Sequence, residues 1–224
     1  MKGLIQIAGI LDEGEARMLV RAGVHQLGFP LRIFPHQEDL TEEAAAKIIQ
    51  GVPLPAEAIL ITYENRGGAI ADLATKLGVR RVQIHGEIAL EEISNLRRLS
   101  PRIHITKSLI VKGDNLGILE EALLQFAPLV DAFITDTYNP DTGACGATGK
   151  THDWAVSRRI VEISSRPVIL AGGLRPENVK EAILQVRSTG VDAHTGVEGP
   201  DGRKDASKVE AFVKAAKEAF AMRP

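Results

Sequence analysis

Residues 135–154, TDTYNPDTGACGATGKTHDW, combine an acidic side chain with a glycine-rich turn. Asp136 closes an apolar run, and the glycines that follow it lead to a predicted helix start at Trp154. A carboxyl group at the end of a strand can donate or accept a proton during catalysis. Backbone N–H groups at a glycine turn and at a helix N-terminus can hold an anion. The segment therefore predicts a catalytic acid, Asp136, beside an anion-binding loop.

Two later segments repeat this order of apolar run, glycine turn and helix: LAGGLRPENV at residues 170–179 and VDAHTGVEG at residues 191–199. Glycine lets the backbone approach an anion closely because it has no side chain. A single glycine pair would be explained equally well as a turn from strand to helix. Three such loops in succession indicate a site for a phosphorylated small molecule. The predicted phosphate-binding residues are Gly149, Gly172, Gly173, Thr195 and Gly196.

Short apolar runs alternate with longer amphipathic segments along the chain. The predicted strands are residues 4–8, 26–29, 58–62, 82–85, 103–110, 132–136, 167–171 and 191–193. The predicted helices are residues 13–22, 42–50, 69–77, 90–99, 116–126, 154–164, 177–186 and 207–221. Strands that are apolar throughout are typical of a parallel sheet covered by helices. Eight strand–helix units in 224 residues predict a (β/α)8 TIM barrel that forms a single domain over residues 1–224.

An open, doubly wound sheet would show the same alternation of strands and helices. Such a sheet usually carries a G-x-G-x-x-G fingerprint for nucleotides after its first strand. Here the first strand ends in Ala8-Gly9-Ile10-Leu11, which lacks the fingerprint. In barrels, the loops after the seventh and eighth strands commonly bind phosphate, and the glycine turns lie in those loops. Both observations favour the barrel.

The composition predicts a cytoplasmic protein that binds neither nucleic acid nor membranes. A net charge of −2 provides no excess of basic residues for either partner, and no segment approaches the roughly 18–20 apolar residues of a membrane helix. Cys145 is the only cysteine, which excludes a disulfide within the chain and fits a reducing compartment. The six histidines are scattered, so no metal site is predicted. The sequence leaves open whether the protein is a monomer or a homodimer.

Four motifs, taken in their order and spacing, resemble those of the phosphoribosylanthranilate isomerases. They are VQIHGE at 82–87, TDT followed by GATGKTHDW at 135–154, AGGLRPENV at 171–179, and VDAHTGVEGPDGRKD at 191–205. The resemblance implies a barrel that rearranges a phosphoribosyl sugar from aldose to ketose without a cofactor. It also implies that an acid protonates the furanose ring oxygen, after which a base removes the C2 proton. The position of the family's acid is Asp136.

The sequence departs from the family at two positions that face the rest of the substrate. The family has a cysteine as base in a K-I-C-G-I-T motif at the end of the first strand, and this chain has Ala8 at the cysteine position. The family also has an arginine for the anthranilate carboxylate in a segment ending K-R-Y-I-S-P. Its position falls near Glu38, whose carboxylate would repel that of the substrate. Arg32 could take over the contact if the loop bends differently.

Two residues are candidates for the missing base. Asp12 follows the first strand and could reach the mouth of the barrel, although an aspartate there often caps the next helix. His36 has a near-neutral intrinsic pKa, which suits a base, but a loop histidine beside proline is equally consistent with a solvated side chain. Four further residues are predicted to contact the substrate, namely Arg32, His85, Asp192 and His194.

These observations leave three functions open. The first is a phosphosugar isomerase that keeps the phosphate site but acts on a different aglycone. The second is a conventional phosphoribosylanthranilate isomerase of tryptophan biosynthesis that uses a replacement base. The third is a protein that binds a phosphorylated ligand without catalysis. Losing a positioned base typically costs about 10²–10⁴ in rate, so the first function is the leading hypothesis.

Overall fold

A computed structural model describes residues 3–34, 37–113, 115–138 and 149–223. The strands are β1 (Leu4–Ala8), β2 (Gln26–Pro30), β3 (Glu57–Thr62), β4 (Arg81–Ile84), β5 (His104–Val111), β6 (Ala132–Thr137), β7 (Val168–Leu170) and β8 (Gly190–Ala193). The helices are α1 (Glu13–Ala22), α2 (Glu42–Gln50), α3 (Gly67–Leu77), α4 (Leu90–Leu99), α5 (Leu116–Phe126), α6 (Trp154–Ile163), α7 (Val179–Val186) and α8 (Ala206–Ala221). Each strand pairs in parallel with the next, and β8 pairs with β1. The predicted (β/α)8 barrel is therefore confirmed, with the C-terminal ends of all its strands at one rim.

Local signals set the ends of the first two helices. The carboxylate of Asp12 accepts a hydrogen bond from the N–H of Glu15 at 2.9 Å and so begins α1. Gly23 ends α1 with a left-handed φ of 93°. The hydroxyl of Thr41 accepts the N–H of Ala44 at 3.2 Å and begins α2. These caps satisfy backbone groups that the helix itself cannot, which is why the predicted bounds of α1 and α2 agree with the structure.

Apolar side chains fill the space between strands and helices and part of the barrel interior. Leu19 of α1 and Leu27 of β2 are fully buried in the larger core. The barrel interior also holds polar side chains, and the amide of Gln6 donates to the amide oxygen of Gln83 at 2.9 Å. A smaller apolar cluster inside the barrel contains Ile134, Ile169 and Ala171. The core therefore anchors the strands whose ends form the rim.

Three helices begin at positions that differ from the prediction, and the smallest shift is that of α8, which begins at Ala206 instead of residue 207. α3 begins two residues early, at Gly67, because the N–H of Gly67 donates to the carboxylate of Glu92 in α4 at 2.6 Å. α7 begins two residues late, at Val179, because the side chain of Asn178 donates to the carbonyl of Gly173 at 3.0 Å. The shift of α3 follows from a contact with another helix. The shift of α7 follows from a contact within the loop that precedes it. The apolar periodicity of a single helix does not reveal such contacts.

Among the described residues, no helix combines the length and the apolar character that a membrane crossing requires. The longest helix in this part of the chain, α8, spans 16 residues and includes charged side chains such as Lys208 and Glu210. The described residues also contain no group of three or more His, Cys, Asp or Glu side chains placed to hold a metal ion.

The contact between α3 and α4 gives a test of the packing. A Cβ atom at Gly67 would lie 2.1 Å from the carbonyl oxygen of Glu92, whereas the nearest atom to one at Gly68 is a side-chain carbon of Leu99 at 3.9 Å. We expect Gly67→Ala to lower the free energy of unfolding by about 1–3 kcal/mol through overpacking. The matched control Gly68→Ala should change it by less than about 0.5 kcal/mol. Urea denaturation measures both, and equal effects would contradict this packing.

Candidate active site

Asp136 lies at the C-terminal end of β6, with its side chain buried inside the barrel. Its Oδ1 accepts a hydrogen bond from the N–H of Thr137 at 2.7 Å. Burial disfavours the charged carboxylate and raises the pKa of Asp136 to about 7, although the hydrogen bond from Thr137 acts in the opposite direction. The carboxyl group can therefore hold a proton, and donate it, at neutral pH.

Asp192 of β8 is a second buried carboxyl group in the barrel. Its Oδ1 has no hydrogen-bond partner among the residues that the structure describes. Burial raises the pKa of Asp192 well above its usual range, and the nearby carboxyl of Asp136 raises it further. A hydrogen bond from Gln6 acts in the opposite direction. Burial thus favours the protonated form of Asp192, and one of its oxygens lacks a partner within the described part of the chain.

The two carboxyl groups line one cavity at the rim. The remaining residues that line the cavity come from the loops after β6, β7 and β8, and they are Gly149, Gly172, Gly173, Leu174, Ala193, His194, Thr195 and Gly196. These include all five residues that the sequence predicted for phosphate binding. A short 3-10 helix, Thr195–Val197, follows β8 directly. The cavity thus brings an acid, a second carboxyl group and three glycine turns together.

Close packing between the loops fixes the shape of this cavity. A Cβ atom at Gly196 would lie 1.9 Å from the carbonyl oxygen of Leu174, so only glycine lets the eighth loop approach the seventh. Gly173 has a φ of 61°, and a Cβ atom there would lie 2.5 Å from the backbone of Lys150. The seventh loop therefore contacts both of its neighbours through backbone atoms.

A buried chain of hydrogen bonds joins the sixth loop to β6. Nδ1 of His152 lies 3.2 Å from the hydroxyl of Thr137, and its Nε2 lies 2.6 Å from the hydroxyl of Ser157. Ser157 donates in turn to Thr135 at 3.1 Å. Burial lowers the pKa of His152 to about 4, so its ring is neutral. Sequence reasoning did not find this chain, and the only signal was the histidine and serine that flank the start of α6.

His194 follows β8 and reaches across the barrel seam toward β1. Its Nε2 lies 3.4 Å from a carboxylate oxygen of Glu198. That carboxylate oxygen lies 2.5 Å from the ammonium group of Lys204, whose side chain is almost fully buried. Sequence reasoning placed His194 near the substrate but missed Glu198 and Lys204, because nothing in the local pattern shows that Lys204 folds inward.

His85 follows β4 and is also buried at the rim. Its Nδ1 lies 3.0 Å from the hydroxyl of Ser108 on β5. The ring of Tyr63 tilts against it, with 5.0 Å between the ring centroids. His85 is therefore held by a neighbouring strand and a neighbouring loop on the side of the barrel opposite the phosphate loops.

The guanidinium group of Arg32 is occupied by carboxylates. Its Nε lies 2.9 Å from Glu42, and its Nη1 lies 3.6 Å from Glu64. The backbone of Arg32 has a φ of 51°, which is unusual for a residue other than glycine, and its N–H donates to the carboxylate of Glu38. This arrangement gives Arg32 a structural role and leaves the prediction of a substrate contact without support.

Asp12, one of the two predicted replacement bases, does not line the described cavity. Asp12 caps α1 and pairs with Arg203 at the protein surface. The N–H of Glu15 and the guanidinium of Arg203 lower the pKa of Asp12. Asp12 therefore has the capping role that the sequence offered as the alternative to catalysis. His36 lies outside the described residues.

Comparison with known proteins decides the family. A family model for N-(5'-phosphoribosyl)anthranilate isomerase matches residues 6–215. The protein named N-(5'-phosphoribosyl)anthranilate isomerase 2 from Methanosarcina mazei is 38% identical over 217 residues, which cover 96% of this chain and 95% of the relative. The isomerase from Methanothrix thermoacetophila is 34% identical over 94% of this chain and 96% of its own length. This chain belongs to the phosphoribosylanthranilate isomerase family.

Solved structures of phosphoribosylanthranilate isomerases share the fold along nearly the whole chain. The enzyme from Thermotoga maritima superposes with a TM-score of 0.82 at 28% identity and covers 97% of this chain and 100% of its own. An isomerase in complex with reduced 1-(o-carboxyphenylamino)-1-deoxyribulose 5-phosphate superposes with a TM-score of 0.79 at 26% identity, with the same coverage. The family resemblance inferred from the four motifs is thus confirmed.

The two positions at which the sequence analysis expects a departure from the family motifs lie near the first two strands. Ala8 ends β1 and is buried. Glu38, near the position of the expected arginine, accepts the N–H of Arg32. The predicted phosphate-binding residues lie instead on the loops after β6, β7 and β8.

The raised pKa of Asp136 predicts a pH-dependent stability. In the unfolded chain this group ionises near pH 3.8, but in the folded protein only near pH 7. Between these values the folded state holds a proton that the unfolded state has lost, so the stability that Asp136 contributes falls as pH rises. Asp136→Asn removes this effect. We expect the stability of the variant relative to wild type to rise between pH 4 and pH 8, by at most about 4 kcal/mol.

Chemical denaturation at several pH values measures this difference. Asp72→Asn, which changes an exposed aspartate of α3, is the matched control and should show a constant difference from wild type. A constant difference for Asp136→Asn as well would show that Asp136 is ionised in the folded protein.

Proposed function

We propose that this chain converts N-(5'-phosphoribosyl)anthranilate into the ketose 1-(o-carboxyphenylamino)-1-deoxyribulose 5-phosphate. The observation that carries the proposal is a carboxyl group with a pKa of about 7, Asp136, in a cavity walled by three glycine turns. The likeness to curated isomerases along nearly the whole chain supports the choice of substrate. The reaction only moves hydrogen atoms and electron pairs within one molecule, so it needs no oxidant or reductant.

The phosphate group of the substrate is proposed to lie between the seventh and eighth loops. Backbone N–H groups around Gly172, Gly173 and Gly196 are the donors that a phosphate dianion would use. The contact of Gly173 with Lys150 also brings a cationic residue of the sixth loop to this place. Backbone packing holds the seventh and eighth loops together, so their N–H groups have defined relative positions before the dianion binds.

Asp136 is proposed as the acid that opens the sugar. Its proton moves to the furanose ring oxygen while the bond from C1 to that oxygen breaks. The lone pair of the anthranilate nitrogen then forms a double bond to C1, which gives a protonated Schiff base. An acid with a pKa near the working pH is suited to this transfer because it is both protonated and able to give up its proton.

Asp192 is proposed to orient the ribose. Burial and the proximity of Asp136 raise the pKa of its carboxyl group, which favours the protonated form. The unpartnered Oδ1 can accept a hydrogen bond from a sugar hydroxyl. The sugar would thereby be fixed between the phosphate loops and the acid.

A second candidate function is an isomerase that acts on a phosphoribosyl compound with a different aglycone. The observation that favours it is the state of Arg32, whose guanidinium is paired with Glu42 and Glu64. Glu38 in the same loop adds a negative charge where anthranilate would bring its own carboxylate. Charge repulsion of this kind would weaken binding of anthranilate compared with an uncharged aglycone.

The proposal is tested by turnover of N-(5'-phosphoribosyl)anthranilate and by rescue of a tryptophan auxotroph that lacks this isomerase. Wild type should rescue growth at ordinary expression. Asp136→Asn should lower kcat by about 10²–10⁴, because the ring oxygen loses its proton donor. Asp72→Asn, which changes an exposed carboxyl group on α3, should leave kcat unchanged.

Three other outcomes have distinct meanings. Full activity of Asp136→Asn would contradict its role as the acid. Absence of turnover by wild type, with tight binding of ribose 5-phosphate and turnover of another phosphoribosyl amine, would favour the different aglycone. Binding of ribose 5-phosphate without turnover of any such amine would indicate a protein that only binds its ligand.

A further inference from the structure

The site needs a proton acceptor for C2 of the sugar, and the end of β1 does not provide one. Ala8 occupies the position where the family motif has a cysteine, and a methyl group cannot accept a proton. The register between β1 and β8 pairs Ile7 with Ala193. Ala8 follows Ile7, and His194 follows Ala193. These two residues therefore lie beside each other where β8 closes the barrel against β1.

The imidazole of His194 occupies the space above the end of β1. A Cβ atom at Gly9, the residue after Ala8, would lie 2.1 Å from Nε2 of His194 and 2.8 Å from two of its ring carbons. The ring thus covers the backbone directly beside the alanine. His194 also lines the cavity that contains Asp136 and Asp192. A quarter of its side-chain surface remains accessible.

Charged groups also lie close to Nε2 of the His194 ring. Nε2 lies 3.4 Å from the carboxylate of Glu198, and the ammonium group of Lys204 lies 2.5 Å from the same carboxylate. The ammonium group also lies 3.4 Å from the carbonyl oxygen of His194 itself. Glu198 is therefore placed to stabilise positive charge on the imidazole, with Lys204 fixing the position of the carboxylate.

We propose that His194 is the general base that removes the C2 proton, in place of the thiol missing at Ala8. This assignment rests on the proposed isomerase function. It moves the base from the end of β1 to the residue that follows the neighbouring strand β8. The other buried carboxyl group in the cavity is Asp192, where burial and the nearby Asp136 raise the pKa and favour the protonated form, which cannot accept the proton.

The ring of His194 is neutral in the free protein, so one of its nitrogens carries a free lone pair. Burial and then the ammonium of Lys204 lower the pKa of His194 to about 3, which makes the free ring a weak base. A phosphate dianion bound in the neighbouring loops would add negative charge and so favour the imidazolium that forms in the reaction.

The proton transfer balances without any other reagent. A lone pair of the imidazole takes the proton from C2, and the electron pair of that C–H bond forms a double bond between C2 and C1. The electron pair of the C1–nitrogen double bond moves to nitrogen, which neutralises the Schiff base and gives an enolamine. Protonation of C1 and loss of the proton of the C2 hydroxyl then give the ketose.

The test uses His194→Ala in the full chain, assayed with N-(5'-phosphoribosyl)anthranilate. We expect kcat to fall by about 10²–10⁴ with a much smaller change in KM, as for loss of a positioned base. Replacing hydrogen by deuterium at C2 should then produce a primary isotope effect on kcat. Added imidazole, or the second change Ala8→Cys, should restore at least tenfold of the lost activity, because each returns a proton acceptor to the same place.

The matched control is His104→Gln, which changes a histidine at the start of β5, at the end of the barrel opposite the cavity. It should stay within about twofold of wild type. Activity of His194→Ala within threefold of wild type would overturn the assignment and leave the isomerase function intact. Loss of activity that neither imidazole nor Ala8→Cys restores would also overturn it, since a structural role would then explain the loss. Wild type without any turnover would instead overturn the proposed function, and the base assignment with it.

Discussion

The candidate site depends on the burial of carboxyl groups inside the barrel. Asp136 receives one backbone hydrogen bond, from Thr137, and this does not compensate for the loss of water. The group therefore keeps its proton into the neutral range, where most aspartates are ionised. Asp192 shares the cavity, so ionisation of either carboxyl disfavours ionisation of the other. The chemistry that we propose follows from this desolvation, because an ionised Asp136 would have no proton to donate.

The loops of the rim on either side of β7 pack against each other through backbone atoms. Contacts at Gly173 and Gly196 join the seventh loop to its two neighbours. Any larger side chain at Gly196 would collide with the carbonyl of Leu174, so few substitutions are compatible with this packing. A base supplied from the loop after β8 would serve the proposed chemistry although β1 ends in an alanine.

Much of the fold was predictable because its signals are local. Apolar periodicity predicted the bounds of α1 and α2, which Asp12 and Thr41 cap in the structure, and eight repeats of strand and helix indicated the barrel. The motifs predicted only part of the site, namely Asp136 and the phosphate loops. The contact of His194 with Gly9 depends on closure of the barrel between β8 and β1, and the pairing of Arg32 with Glu64 depends on neighbouring loops. Residues far apart in sequence form these contacts, so their positions could not be deduced from spacing.

The central claim is that Asp136 is a neutral acid in the folded protein at the pH of catalysis. Carbon-13 NMR of the aspartate carboxyl groups, with Asp136→Asn to assign the resonance, measures this ionisation directly. The account predicts that the Asp136 resonance titrates near pH 7, well above the aspartates at the surface. A resonance that is already fully ionised at pH 5 would contradict it.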